Sequence, residues 1–328
     1  MVSIKSIFAA DKRIKGNIRE TPIVSSPFLD KIAGRRILIK AECLQHTGSF
    51  KFRGAWSAIS ALSKEEQKKG IVAYSSGNHA QGIAAVAKIF LCPAVIIMPS
   101  DAPKLKIENT KSYGAEVILY DRVKESREDI GVLIAKNRGL TLIKPYDNER
   151  VIAGQGTLGL ELASQLERYS VQNADVLVCC GGGGLTAGMA LALAEAAPDL
   201  RVRPCEPEHY DDTSRSLQSG KREVNIGSYS SICDAILTPT PGELTFPILQ
   251  DLVGKGLVVS DAEVLNTMAQ AFQRLKLIVE PGGAVALASA LFRKDQIKGD
   301  TVIVVLTGGN TDVKTFRRAL STLERPSI

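Results

Sequence analysis

Short runs of Val, Ile and Leu recur along the chain, and longer amphipathic or Ala-rich stretches separate them. Strands are predicted over Ile37–Lys40, Ile71–Tyr74, Ala94–Met98, Glu116–Tyr120, Val176–Cys180, Val202–Cys205 and Val302–Leu306. Several are continuously apolar, as expected of parallel strands buried on both faces. Helical periodicity falls between them, over 78–90, 104–113, 124–138, 149–167, 184–197, 261–275, 282–293 and 313–324. Asp101-Ala102-Pro103 and Ser260-Asp261 read as helix starts. The alternation predicts an α/β protein with mostly parallel sheets. No repeat, low-complexity tract or long linker divides the chain, so two domains would be joined without a flexible tether.

Glycine clusters sit at informative places. Ser75-Ser76-Gly77-Asn78-His79, Gly181-Gly182-Gly183-Gly184-Leu185 and Thr307-Gly308-Gly309-Asn310 each follow a predicted strand and precede a predicted helix. Open α/β sheets bind ligands at such strand ends. Free N–H groups and the helix dipole favour an anion there. One such loop alone reads as a tight turn. Four successive glycines do not, because each raises the entropic cost of folding. Gly154-Gln155-Gly156-Thr157-Leu158-Gly159 matches a dinucleotide fingerprint, yet no strand precedes it and the segment reads as helical. No phosphate-binding P-loop motif is present.

Composition narrows the class. The 328 residues are 45% hydrophobic and 23% charged, which excludes wholesale disorder and fibrous repeats. The net charge of +6 is scattered, without the basic stripe and interleaved aromatics of a nucleic-acid binder. No apolar run approaches the roughly 18–20 residues of a membrane span. The N-terminal apolar patch soon meets Asp11, Lys12 and Arg13, so no cleaved signal peptide is expected. Cys43, Cys92, Cys179, Cys180, Cys205 and Cys233 show no metal-ligand spacing and read as reduced, buried thiols of a cytoplasmic protein. Three His leave little room for a Ser-His-Asp triad or a His-rich metal site.

Thr47-Gly48-Ser49-Phe50-Lys51-Phe52-Arg53-Gly54-Ala55 reads as a glycine turn into a helix, with a lysine beside an aromatic at the helix start. The helix dipole and partial burial would both lower that amine's pKa, which suits Schiff-base chemistry. Taken alone, Lys51 reads as a solvated lysine. In combination it does not. The stretch resembles the lysine motif of fold-type II pyridoxal-phosphate enzymes, in their serine/threonine dehydratase and serine racemase branch. The resemblance runs from about Ile14 to Asp312 and includes SSGNHAQG at 75–82, VIAGQGT at 151–157, GGGGL at 181–185, EP at 206–207, EPGGAVALA at 280–288 and TGGN at 307–310. Cysteine and threonine synthases share the fold but usually place Asp after the lysine, where this chain has Phe52.

The resemblance implies a tryptophan synthase β-like fold of two doubly wound α/β domains. The larger would span 1–69 plus 148–328, and an inserted smaller one, 70–147, would close on the substrate. Lys51 would carry pyridoxal 5′-phosphate and later remove the Cα proton, with Phe50 packed beside the ring. Gly181, Gly182, Gly183, Gly184 and Leu185 would cradle the phosphate, and Asn78 would bond the phenolic oxygen. Ser75, Ser76 and His79, with the adjoining backbone N–H groups, would hold the substrate carboxylate. Thr307 would face the pyridine nitrogen. A neutral hydroxyl cannot protonate that nitrogen as a carboxylate would, so the ring is a weaker electron sink, and expulsion of a β-hydroxyl is favoured over long-lived carbanion chemistry.

Ser76 stands where racemase-like members use Ser as the acid/base on the second substrate face; the plainer reading is a carboxylate contact. Glu206, Asp212 and the Tyr210 carbonyl match a divalent-ion site, Mg²⁺ or Ca²⁺, of the same members; the plainer reading is a solvated acidic loop. Cys179-Cys180 and Ala235 depart from the usual pattern, and Ala235 puts the native substrate in doubt. No room follows the last helix for a regulatory C-terminal domain. The implied activity is an ammonia-lyase converting L-threonine or L-serine to a 2-oxo acid and ammonia, in a cytoplasmic homodimer. A serine racemase, a 3-hydroxyaspartate dehydratase and a non-catalytic anion-binding module are the alternatives. The only partner implied is a small amino acid, with neither nucleic acid nor membrane.

Overall fold

The computed structural model describes residues 2–227 and 230–324. Its strands are β1 (Ile23–Val24), β2 (Arg36–Lys40), β3 (Ile71–Tyr74), β4 (Ala94–Pro99), β5 (Glu116–Tyr120), β6 (Thr141–Leu142), β7 (Ala174–Cys179), β8 (Leu200–Pro207), β9 (Leu257–Val259) and β10 (Thr301–Val305). They form two sheets. The larger has the order β1-β2-β10-β7-β8-β9, the smaller β5-β4-β3-β6. Every pairing is parallel except β1 with β2.

Both sheets are covered on both faces, which explains their continuously apolar strands. In the larger sheet Ile37, Ile39, Leu177, Val302 and Val304 face the helix Pro281–Phe292. Leu38, Val176, Val178, Ile303 and Val305 face the helices Glu149–Leu166 and Gly184–Ala196. In the smaller sheet Ile71, Ala73, Ile96 and Met98 pack with the helices Lys51–Ser60 and Asn78–Ile89. Val72, Tyr74, Val95 and Ile97 pack with the helix Arg127–Arg138. The helix Lys51–Ser60, although it precedes β3, therefore shares the smaller sheet's core.

Two expectations change in detail. The helix expected over 261–275 is α-helical only over Asp261–Gln270; Ala271–Leu275 is a π turn closed by Lys276 at φ +62°. The loop after β10 does not meet a helix directly, because the next helix starts at Val313, capped by Asp312. The GxGxxG segment lies inside the helix Glu149–Leu166, as its sequence context indicated. Its glycines serve helix packing. A Cβ at Gly154 would come 2.7 Å from the Arg53 carbonyl oxygen, and one at Gly156 2.8 Å from that of Gly188. Among the described residues no helix is long and apolar enough to cross a membrane.

Candidate active site

Each sheet reverses its order of growth once, between β3 and β6 in the smaller and between β10 and β7 in the larger. Loops leaving the strand ends diverge at such points and open a crevice. Here the two crevices share one cavity. Ser75–His79 after β3 and Pro145 and Tyr146 after β6 line it from the smaller sheet. Gly181–Gly184 after β7 and Thr307 after β10 line it from the larger. Phe50, Lys51 and Leu185 complete the set, so every cofactor and substrate residue expected from the sequence meets at one place.

Lys51 is the first residue of its helix, and its Nζ donates to the Pro145 carbonyl at 2.9 Å. The amine lies 5.2 Å from the Phe50 ring centroid. Burial, then the nearby Arg127 charge, pulls its pKa down to about 8. A useful fraction is thus an uncharged nucleophile near neutral pH.

The glycine run ends at the N-terminus of the helix Gly184–Ala196, whose first-turn N–H groups have no partner within the helix. Gly183 needs its hydrogen side chain because φ is +87°. A Cβ at Gly182 would lie 2.2 Å from the Tyr146 ring. Backbone amides and the positive helix end therefore line this wall, the arrangement that binds phosphate.

Asn78 is tied on both sides. Its Nδ2 donates to Glu280 through a short bond, and its Oδ1 accepts from Asn310 Nδ2 at 2.8 Å. One N–H of Asn78 remains for a ligand. Lys106 pairs with Asp234 at 2.9 Å and with Glu280 at 3.8 Å. Burial pushes the Glu280 carboxyl up from 4.5 to about 7; Lys106 opposes the rise and Asp234 adds to it. The folded state then holds a proton that the unfolded chain releases. That contribution is complete below about pH 4.5 and is lost as pH rises through about 7. Glu280→Gln is expected to flatten the stability of the cofactor-free protein between pH 5 and pH 8 by on the order of 3 kcal/mol. Urea denaturation of both forms at the two pH values measures it; an unchanged difference overturns the assignment.

On the carboxylate side, Ser75 Oγ accepts the Gly77 N–H at 3.1 Å, and Ser76 is half-buried at the cavity wall. The His79 imidazole, as distinct from the adjoining backbone N–H groups, is not placed to hold a carboxylate. Its Nε2 lies 3.3 Å from the Ile143 carbonyl, its Nδ1 is buried without a partner, and burial followed by the Lys51 charge lowers its pKa to about 3. A neutral imidazole whose proton points at a carbonyl offers a carboxylate neither charge nor donor. Arg127 brings a positive charge, paired with Glu128 at 2.8 Å. It lines the cavity, with its guanidinium 5.3 Å from the Tyr74 ring centroid.

The acidic cluster is elsewhere. Glu206, near the end of β8, accepts the N–H groups of Thr213 and Ser214 at 2.8 and 2.7 Å and so caps the helix Asp212–Ser219. Asp212 Oδ1 accepts from Asn225 at 2.6 Å, while its Oδ2 is buried without a partner. Burial raises both carboxyls, and the Asp212 charge raises Glu206 further. Tyr210 N donates to the Pro207 carbonyl. None of the three lines the cavity, and among the described residues no group of three or more His, Cys, Asp or Glu side chains is placed to hold a metal ion. The orphaned oxygen and the mutual repulsion suit a cation. Thr213, beside Cys180 at 3.4 Å, links this corner to the glycine run.

Fold and cavity together define an enzyme that sets a buried lysine amine against an amide-lined anion cradle between two parallel sheets. Comparison with known proteins gives the same class. The profile of the family described as pyridoxal-phosphate dependent enzyme matches residues 14–308. An L-threo-3-hydroxyaspartate ammonia-lyase of Pseudomonas sp is 43% identical over 97% of this chain and 98% of its own. A serine racemase of Schizosaccharomyces pombe is 39% identical over 96% of each. The crystal structure of a T.th. threonine deaminase superposes with a TM-score of 0.88, at 41% identity over 94% of this chain and 99% of that one. The chain belongs to the pyridoxal-phosphate dependent enzyme family. The cavity fits that cofactor: an amine for the aldehyde, a glycine run at a helix N-terminus for the phosphate, and buried polar atoms of His79 and Gln155 that no protein group satisfies.

Proposed function

We propose that this protein is an ammonia-lyase that converts a β-hydroxy amino acid, serine or threonine, to a 2-oxo acid and ammonia. The observation that carries the reading is the convergence of Lys51, Asn78, Gly181–Gly184 and Thr307 on one cavity. When bound, pyridoxal phosphate supplies the electron sink for the pair left by removal of a Cα proton. In this proposal Lys51 holds the cofactor and moves the proton, Gly181–Gly184 with Leu185 hold the phosphate, Asn78 holds the phenolic oxygen, and Phe50 and Thr307 seat the ring. Ser75, Ser76 and Arg127 would take the substrate carboxylate, with His79 shaping the wall. Residues 70–147 would form the smaller unit that closes, carrying Arg127 toward the glycine run. Glu206, Asp212 and the Tyr210 carbonyl would hold a divalent cation that braces the glycine run from behind.

A second reading is favoured by Arg127. A cation in the cavity suits a substrate with a second carboxylate, such as 3-hydroxyaspartate, which is also the substrate named for the Pseudomonas relative. A panel of β-hydroxy amino acids, scored for oxo acid and for enantiomer with and without chelator, separates the readings. Oxo acid from serine or threonine is the expected result, and release from no member of the panel sinks the lyase reading. Turnover of 3-hydroxyaspartate at least about tenfold above serine and threonine selects the second. Ser76→Ala is expected to remove any racemisation while deamination persists; racemisation that survives removes Ser76 from the second face.

A further inference from the structure

Gln155 stands out among the buried polar side chains. It is 1% exposed, and both Oε1 and Nε2 lack a hydrogen-bond partner. Leaving one buried polar group unmade costs about 1–3 kcal/mol, so an amide orphaned at both ends calls for an occupant. The side chain lines the cavity. Its placement is enforced. The helix Glu149–Leu166 crosses the Lys51 helix where a Cβ at Gly154 would come 2.8 Å from Gly54 Cα. A Cβ at Gly54 would meet Gln155 Nε2 at 2.3 Å. Gly54 lies one turn beyond Lys51, on the same helix face. On its other side the helix touches Gly188, one turn beyond Gly184. The amide is therefore wedged between the amine-bearing helix and the helix that begins at the glycine run.

We propose that Gln155 is a ligand-contacting residue that bridges the two halves of this site. Its N–H donates to the anionic group held at Gly181–Gly184, while its side chain packs against Gly54 of the Lys51 helix. The side-chain type follows from the chemistry. A carboxamide is neutral and can face an anion with its N–H. Glu in its place would repel the anion, and Leu would offer no bond. The inference rests on reading the cavity as the cofactor site.

The test uses wild-type, Gln155→Leu, Gln155→Met and Gln155→Glu holoenzymes. Loss of the lysine-bound cofactor absorbance is followed in the presence of a carbonyl scavenger. Each protein is then reloaded with pyridoxal phosphate or with pyridoxal, which lacks the phosphate. Cofactor loss at least about tenfold faster is expected in all three variants, steepest for Glu. The difference from wild type is expected to shrink below about threefold with pyridoxal, a change that mere packing would not produce. If Gln155→Glu does not fold, the Leu and Met variants, close to Gln in shape, carry the test. Retention of pyridoxal phosphate within about twofold of wild type, or equal losses with pyridoxal and pyridoxal phosphate, overturns the proposal. A wild-type protein that binds no cofactor would sink the cofactor-site reading itself, an outcome separate from these.

Discussion

Lys51→Ala is expected to lower oxo-acid release by roughly 10³-fold or more, because it removes both the cofactor's attachment point and the proton carrier. Borohydride reduction should leave cofactor covalently on wild type and none on the variant. The fold should survive, since Lys51 Nζ makes one hydrogen bond, to the Pro145 carbonyl. The rate at which the cofactor-free protein takes up cofactor should rise with pH through the free amine, whose pKa of about 8 reflects burial and Arg127. Retained oxo-acid release in Lys51→Ala would refute the assignment. Loss of both activity and folding would not test it, so a melting curve accompanies the assay.

Arg53→Ala should produce the largest loss of stability. Arg53 is fully buried and donates to Glu42 at 2.8 and 2.7 Å, and its guanidinium also pairs with Glu161 at 2.9 Å. Lys40, equally buried, reaches Glu161, the Thr21 carbonyl at 2.6 Å and Gln165 at 2.7 Å. Removing the guanidinium leaves the wholly desolvated Glu42 without a cation, while Glu161 keeps Lys40. Breaking such a buried pair costs about 3–5 kcal/mol. Urea denaturation at neutral pH measures it, and a loss below about 1 kcal/mol would show that water or a rearranged Lys40 replaces the guanidinium. The same network seats the Lys51 helix, so a partly folded variant should also hold cofactor weakly.

How legible each residue was depends on what surrounds it. Asn78, the glycine run and Thr307 could be placed because they follow uniformly apolar strands, where a polar or glycine-rich break marks a ligand-binding strand end, while Lys51 and the roles of all four came from the resemblance of their motifs to those of fold-type II pyridoxal-phosphate enzymes. Arg127 could not be placed, since it stands in the polar stretch Lys124-Glu125-Ser126-Arg127-Glu128-Asp129 and looks like any solvated helix start. Lys106 and Asp234 were hidden likewise: their pairing links distant segments that only the packing of the two sheets brings together. Gln155 carried a signal that was passed over, an isolated amide in the otherwise small and aliphatic stretch from Val151 to Leu160. The strands β1, β6 and β9 are two or three residues long, too short for any periodicity. The carboxyl pair Glu206 and Asp212 read as a solvated loop or a cation site, while in the fold Glu206 also acts as a helix cap.

The position of β10 bears on how the molecule is assembled. It lies between β2 and β7 and pairs with both, so Thr301 lies beside Arg36 and Val302 beside Asp175. Until residues 301–305 emerge, the larger sheet has a gap at its centre and two unpaired apolar edges, the kind of surface that aggregates. Closing that gap demands contacts between the chain's beginning and its end, which makes folding slow. Thr307 arrives with the same strand, so the last piece needed to complete the sheet is also the last wall of the cavity. A nascent chain therefore cannot become catalytic before it is structurally whole.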